Sequence, residues 1–350
     1  MELSTLQMGL LSGLILLVLL LPLTLHKVEE NLELFLFICG AVAVSVSQQW
    51  SGHLILTALQ DPIKITAAVL IAGLLFRQFN ATLQRLTLKA VQKLGLRWTV
   101  FLIVFTLGML SSLITAIIAA LVLAEVVVML PLSRRQRIRT TVLACFSIGM
   151  GAVLTSIGEP LGTIVISKLA GPPHNAGFFY LIEHLGLLVL VGVTLVSALA
   201  MFVHADHRTP GAHATDTQED RSFKTIILRA GKVYLFVMAL VLLGDGLKPL
   251  ALRTISRLSD NWLYWINTLS AVLDNATLAA IEITPTISDR SLTFLLMSLI
   301  ISGGIMIPGN IPNIICASKL GIKSKEWVKQ ACVLGVALMV GYFVVLHLFL

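Results

Sequence analysis

Two carboxylates interrupt apolar stretches of the sequence, where ionisable side chains are rare. Asp274 lies in LSAVLDNATLAA (residues 269–280), and Glu159 lies in TSIGEPLGT (residues 155–163). Burial favours the protonated form of a carboxylic acid, whereas a bound cation favours the ionised form. A carboxylate balanced between these conditions can exchange a proton for a cation such as sodium or lithium. Asp274 and Glu159 are therefore candidates for proton-coupled cation binding.

Oxygen-bearing side chains accompany both carboxylates, and hard cations prefer oxygen ligands. Together with backbone carbonyls, the side chains that could complete a coordination shell are those of Asn275, Thr277, Thr155, Ser156, Asn310 and Asn313. Asp274 has an alternative role as a helix cap, because Asp and Asn are favoured just before the first turn of a helix. The two roles are compatible, and the sequence leaves both open.

The composition places these residues in a membrane protein. Of 350 residues, 57% are hydrophobic and only 12% are charged, and the mean hydropathy is +0.93. A soluble domain of this length exposes more charge than this. We therefore predict an all-α polytopic protein embedded in lipid, in the inner or plasma membrane of a prokaryote. The net charge of +7 fits basic cytoplasmic loops, so we expect no nucleic-acid partner.

About eight spanning helices are predicted, because eight apolar segments are long enough to cross a bilayer core of about 30 Å. They are residues 8–25, 34–50, 63–79, 138–169, 181–203, 226–249, 292–320 and 328–350. Two further apolar segments, 98–132 and 262–286, are too short for two full spans with a turn. They need a different path through the membrane.

The flanks of segment 98–132 indicate that path. Basic residues stand on both sides of it, namely Arg85, Lys89, Lys93 and Arg97 before it and the run SRRQRIR (133–139) after it. The positive-inside rule puts both flanks in the cytoplasm, which predicts a re-entrant hairpin. When the spans are counted along the chain from this cytoplasmic position, both ends of segment 262–286 lie outside. We therefore predict a second hairpin of opposite polarity there. Glu125 and Glu282 lie near the outer ends of the hairpins, where an interfacial position competes with a functional one.

This topology divides the chain into two halves and places both termini outside. The first half covers residues 1–203 and the second covers 226–350, and the polar stretch 204–225 joins them as a cytoplasmic linker. We interpret this stretch as a solvated connection rather than a metal site, although it contains His204, His207 and His213.

The halves share a weak internal match. SSLITAIIAA (111–120) aligns with SAVLDNATLAA (270–280), and TSIGEPLGTIVISKL (155–169) aligns with MIPGNIPNIICASKL (306–320). Each half thus has a hairpin followed by a helix that Gly and Pro interrupt, with opposite orientations in the two halves. Inverted repeats with discontinuous helices are the architecture of secondary transporters, which bind their ions at the repeat interface.

The helix interruptions have a chemical use. A helix broken at GEP or GNIP presents free amides on one side of the break and free carbonyls on the other, so it can hold an ion without a full counter-charge. Gly158 and Gly309 stand at aligned positions in these breaks, next to Glu159 and Asn310. The alternative interpretation is a kink without function.

These motifs resemble the ion transporter superfamily, which includes arsenite pumps, citrate and dicarboxylate carriers and the D-type sodium/proton antiporters. The resemblance rests on LSAVLDNATLAA with a downstream GNIPN, and on the counterpart LSSLITAIIAA with TSIGEPLGT. In such proteins the hairpin tips and helix breaks enclose the transported ion, so the resemblance implies a site at Asp274, Asn275, Gly309, Asn310 and Asn313. The first half departs from this pattern, with Thr and Ala at the hairpin tip and a glutamate in the break.

The function we favour is a secondary active transporter that exchanges sodium or lithium for protons by alternating access. The alternative is a sodium- or proton-coupled carrier of a dicarboxylate or an arsenite-like oxyanion, since half-helix N-termini bind anions. Two carboxylates without a fixed positive charge favour the cation, because Lys168 and Lys319 lie near helix ends, where lysines often reach the membrane surface. Protease signatures are missing, so we expect no enzyme and no cofactor. Members of the superfamily are often dimers, so a homodimer is an expectation from the resemblance alone.

Overall fold

The computed structural model describes residues 3–202, 223–255, 259–271 and 275–350. These residues form helices, and no strand occurs among them. The helices of the first half are α1 (Thr5–Thr24), α2 (His26–Glu30), α3 (Leu32–Ser47), α4 (Gly52–Ile114), α5 (Ala116–Met129), α6 (Arg134–Ala152), α7 (Pro160–Lys168) and α8 (Tyr180–Ala200). Those of the second half are α9 (Phe223–Ile255), α10 (Asp260–Ile266), α11 (Asn275–Glu282), α12 (Asp289–Ser302), α13 (Ile311–Leu320) and α14 (Ser324–Phe349), with 3-10 turns at Asn267–Ala271 and Ile307–Gly309.

The predicted all-α membrane architecture is confirmed at the level of helix length and composition. Six helical segments among the described residues are apolar and long enough to cross a membrane: Thr5–Thr24, Gly52–Ile71, Thr82–Ile114, Tyr180–Ala200, Ala230–Arg253 and Ser324–Phe349. Five of them overlap predicted spans. The predicted spans 138–169 and 292–320 are each divided into two shorter helices, and the predicted span 34–50 is the 16-residue helix α3.

The basic flank before segment 98–132 is helical rather than a loop. Arg85, Lys89 and Lys93 lie in α4, where their spacing of four residues puts them on one face. The helical backbone is interrupted at Gly95, which has φ 77° and ψ 159°. Glycine tolerates this positive φ, so it marks a kink between two helical parts of α4.

Segment 98–132 consists of two helices that pack against each other, the end of α4 and α5. Thr115 separates them with a φ of 74°. Its side chain accepts a hydrogen bond from the Ile118 backbone N–H at 3.3 Å and so caps α5. In the second half, α10, a 3-10 turn and α11 occupy segment 262–286. Residues 272–274 of this segment, Asp274 among them, and linker residues 204–222 lie outside the described residues.

The broken helices form the centre of the fold. Every residue in 140–152 of α6 and in 292–302 of α12 is buried, as expected for helices that are surrounded by others. Both helices stop at glycine-rich breaks and resume at α7 and α13, each of which has a proline in its first turn. Proline suits that position because its missing N–H would have no partner inside the helix.

Contacts at the helix ends show that the two broken helices run in opposite directions. At the start of α6, Arg134 Nη2 donates to the carbonyl of Gly321, which follows α13, at 3.0 Å. Beyond the end of α7, His174 Nε2 lies 2.8 Å from the carbonyl of Ile287, which precedes α12. The start of each broken helix therefore lies beside the end of the other.

Candidate functional site

A buried amide with no hydrogen-bond partner among the described residues lies against the second helix break. Asn275, the first residue of α11, is only 4% exposed, and neither Oδ1 nor Nδ2 makes a hydrogen bond. A methyl group on Gly303 would come within 2.7 Å of this Nδ2 and 3.0 Å of this Oδ1, so the amide lies against the Gly303 backbone. Burying such a group without a partner costs about 1–3 kcal/mol, which makes it a candidate for binding a ligand.

Asn313 supplies a second unpaired atom near the same glycine. Its Nδ2 donates to the carbonyls of Gly303 and Met306, both at 2.9 Å. These two acceptors determine the orientation of the amide, because only its NH₂ group can donate to them. The Oδ1 atom is therefore a fixed acceptor, and it is buried without a donor.

The 3-10 turn before Asp274 packs directly against this break. A methyl group on Gly309 would come within 2.9 Å of the Ser270 carbonyl and 2.5 Å of the Gly303 carbonyl, so only glycine fits there. The Ser270 and Ser302 hydroxyls are 2.6 Å apart, and Ser302 Oγ also donates to the Asn267 carbonyl at 2.8 Å. This hydroxyl network attaches the turn to α12.

Asn267, Ser298 and Ser302 join the site through tertiary contacts and are absent from the residues predicted from sequence. Asn267 Nδ2 donates to Ser298 Oγ at 2.9 Å and to Glu282 Oε2 at 3.1 Å. The only signal in the sequence is the spacing of four residues between Ser298 and Ser302, which puts two hydroxyls on one face of α12. Glu282 points into the protein rather than to the membrane interface that its position had left open.

The first break is closed by its own hydrogen bonds. The Thr155 hydroxyl is fully buried, donates to the Ser112 carbonyl and accepts from the Ile157 backbone N–H at 3.2 Å. The Ala116 backbone N–H donates to the Gly158 carbonyl at 2.9 Å, which joins the end of α4 and the start of α5 to the break. Ser156 is half-buried, and its carbonyl accepts from Thr163 Oγ1 at 2.7 Å. The predicted site residues Thr155, Ser156 and Gly158 are therefore bonded to neighbouring residues of the break, α4, α5 and α7.

Gly158 and Glu159 occupy the sharpest part of this break. A methyl group on Gly158 would come within 2.0 Å of the Ala152 carbonyl oxygen, so no other residue fits without movement of the backbone. Glu159 is 8% exposed and precedes Pro160 at the N-terminus of α7. Because α7 packs against α11, Glu159 begins a helix that contacts the helix headed by Asn275.

Asn310 and Thr277 have different surroundings from the pair Asn275 and Asn313. Asn310 is 8% exposed, and its Nδ2 lies 2.8 Å from the position a methyl group on Gly149 would take, so it reaches α6 of the first half. Thr277 lies in the same way against Gly244 of α9, with Oγ1 at 2.9 Å. Two residues apart on α11, Asn275 and Thr277 face different sides. The structure thus separates Thr277 from the unpaired amides.

Two aligned lysines connect the halves. Lys168, at the end of α7, donates to the carbonyls of Ala280 and Ile283, the latter at 3.0 Å. Lys319, near the end of α13, pairs with the carboxylate of Glu125 in α5. Each lysine thus binds the second helix of the other half's hairpin segment, where backbone carbonyls or a carboxylate are available as acceptors.

A cavity of about 300 Å³ approaches the second break from one end of the molecule. Glu29, Glu33 and Lys232 are among its lining residues, as is Ile307 from the 3-10 turn of the break. The ammonium of Lys232 lies 2.9 Å from the Glu33 carboxylate. Among the buried polar residues that the structure describes there is no lysine or arginine.

Comparison with known protein families assigns the chain to one of them. A family model described as "Protein of unknown function (DUF1646)" matches residues 8–349. The match spans both hairpin segments and both broken helices. A comparison with functionally curated proteins gives no match. The chain therefore belongs to the DUF1646 family.

Proposed function

We propose that this protein is a secondary active transporter that exchanges a small cation, sodium or lithium, for protons. The cation binds at the second helix break, between α11 and the 3-10 turn Ile307–Gly309. Protons compete for the same region through the carboxylates Asp274, the covalent neighbour of Asn275, and Glu159 at the head of α7.

The observation that carries this proposal is the set of unpaired amide atoms at Gly303. Asn275 Oδ1 and Asn313 Oδ1 are buried acceptors without donors, and the Gly303 carbonyl lies beside them. Hard cations are bound by such oxygens. A desolvated group of neutral oxygens favours a positive ligand, because it stabilises the charge without requiring the burial of a second full charge.

We further propose that the two halves are inverted repeats with re-entrant hairpins. The opposite directions of the broken helices support this, as do the packed helix pair on either side of Thr115 and the aligned breaks at Gly158 and Gly309. The aligned lysines Lys168 and Lys319 add to this support, because each contacts the other half at a corresponding place. Alternating access is then a movement of one half against the other around the break.

The 300 Å³ cavity supports a direction of access. The cavity is lined by Glu29 and Glu33 and also by Ile307, which lies at the edge of the break. In the proposed cycle, a cation enters from this end and binds the amide oxygens, and the halves then move to release it at the other end.

The test is exchange by the purified protein in proteoliposomes that contain a pH-sensitive dye. Addition of sodium or lithium should make the proton gradient across the membrane collapse faster than in protein-free liposomes. The same measurement with potassium and calcium reports the selectivity for the cation. Asn275→Ala should abolish the response while Gly171→Ala, at a site with open space around it, should preserve it. No response to any cation in the wild-type protein would refute the exchange function.

One observation favours an anion as a second candidate. Asn275 Nδ2 is a buried donor without an acceptor, and it could bind a carboxylate or an oxyanion oxygen. Uptake of labelled dicarboxylate or arsenite into the same proteoliposomes distinguishes this candidate. The two asparagines have two unpaired acceptors, Asn275 Oδ1 and Asn313 Oδ1, but only one unpaired donor, Asn275 Nδ2. For this reason we favour a cation over an anion as the ligand.

A further inference from the structure

Glu282, at the end of α11, is a carboxylate in an unusual setting. Its Oε2 accepts one hydrogen bond from Asn267 Nδ2 at 3.1 Å, and its Oε1 is buried and accepts none. An ionised carboxylate normally accepts several hydrogen bonds when it is removed from water, because each oxygen carries part of the charge. The setting therefore favours a neutral acid until a positive charge arrives nearby.

The side chains around Glu282 lead to the second break. Asn267 Nδ2 donates to both Glu282 and Ser298, and the Asn267 carbonyl accepts from Ser302 Oγ. Ser302 Oγ is 2.6 Å from Ser270 Oγ, and the Ser270 carbonyl lies against Gly309 of the break. Buried hydrogen bonds thus join the carboxylate to Ser270, and packing of the Ser270 carbonyl against Gly309 brings this network to the edge of the cation site.

A positive charge lies beside the backbone of the same helix end. The Lys168 ammonium binds the carbonyls of Ala280 and Ile283, on either side of Glu282 in sequence. Ala280 lies in the last turn of α11 and Ile283 follows it, so the lysine compensates the negative end of the helix. Among the described residues no donor reaches Glu282 Oε1.

We infer that Glu282 binds an exchanged proton: it is protonated when the second break is empty and releases the proton when a cation binds at Asn275 and Asn313. No covalent bond other than O–H changes, and the proton leaves to water as the cation charge replaces it. This inference rests on the proposed function, and it adds a proton site that is separate from Asp274 and Glu159. The group acts through the network of Asn267, Ser302 and Ser270.

The test measures proton release from the full-length protein in weakly buffered detergent solution with a pH-indicator dye. Addition of sodium or lithium chloride should release about one proton per bound cation from the wild-type protein at a pH where the acid form predominates without cation. In Glu282→Gln, which keeps the shape of the neutral acid, cations should still bind and the release should fall by more than half. Glu326→Gln is the matched control, because Glu326 pairs with exposed Arg134 far from this network.

A second variant tests the inference even if Glu282→Gln fails to fold. Asn267→Ala removes the donor that stabilises the ionised form of Glu282, so the half-saturating cation concentration at fixed pH should rise about tenfold. Cation binding with unchanged proton release in Glu282→Gln would overturn the inference and leave Asp274 or Glu159 as the proton site. An unchanged half-saturating concentration in Asn267→Ala would overturn it as well. Absence of cation binding in the wild-type protein would instead refute the proposed function, and the inference with it.

Discussion

Replacing Asn275 with alanine should separate the stability of the protein from its ability to bind a cation. Both polar atoms of this side chain are buried and unpaired, so they cost the fold about 1–3 kcal/mol. Truncation removes this cost but loses packing contacts worth about 1 kcal/mol. The variant should therefore be as stable as the wild-type protein, or more stable by up to about 2 kcal/mol.

Asn313→Ala is the matched comparison, because its amide is used by the fold. Two hydrogen bonds to buried carbonyls are lost, at about 1 kcal/mol each, and two carbonyls are left without that donor. We expect this variant to lose about 2–4 kcal/mol of stability. Both asparagines contact Gly303, but the two substitutions should change the stability in opposite directions.

The assay is thermal unfolding in detergent, followed by tryptophan fluorescence, with sodium, lithium or choline chloride. A cation at one hundred times its Kd stabilises the wild-type protein by about 2.7 kcal/mol, and neither variant should show this increase. If Asn275→Ala lost as much stability as Asn313→Ala, its amide would have a partner in the folded protein and the reasoning would be refuted. A full cation-dependent increase in Asn275→Ala would also refute it.

Two further variants test the contacts that position the site. Glu125→Gln leaves the half-buried ammonium of Lys319 without its counter-charge, so we expect a loss of about 3 kcal/mol in thermal stability. Gly158→Ala forces a methyl group to within 2.0 Å of a carbonyl oxygen, so the first break must open, and the fraction of protein that elutes as a single folded species in size-exclusion chromatography should fall sharply.

Each of these variants has a control in the same molecule. Glu326→Gln breaks an ion pair at the surface, where Arg134 is 58% exposed, and should cost less than 1 kcal/mol, as is usual for such pairs (about 0–1 kcal/mol). Gly171→Ala introduces a methyl group with open space around it and should behave as the wild type. Equal effects in variant and control would contradict the buried contacts described for Glu125 and Gly158.

The helix breaks could be predicted from sequence because their causes are local. Pro160, Gly158 and Gly309 act through missing N–H groups or missing side chains, and these effects depend on the chain within a few residues. The GNIPN motif likewise places Asn313 in a break, whereas its proximity to Asn275 is implied only by the resemblance. The basic residues Arg85 and Lys89 prove to be part of a helix, and the positive-inside rule concerns their side of the membrane rather than their secondary structure.

The orientation of side chains between distant segments could not be predicted in this way. Thr277 turns to Gly244, and Lys168 turns inward to α11, because packing partners more than thirty residues away in sequence decide which face of a helix is buried. The attachment of Asn267 to Ser298 and Ser302 depends on such a pairing as well. A single sequence contains no direct record of these pairs.

The lysine contacts between the halves also bear on how the protein is made. Synthesis proceeds from the N-terminus, so Glu125 and Lys168 exist before Lys319 and the carbonyl of Ile283 that they need. An unpaired charge in lipid is costly, and both side chains must therefore stay hydrated or be sheltered by the insertion machinery until the last part of the chain arrives. Insertion of the early helices is consequently a separate event from the packing of the two halves against each other. Each half provides the partners for a charged side chain of the other half.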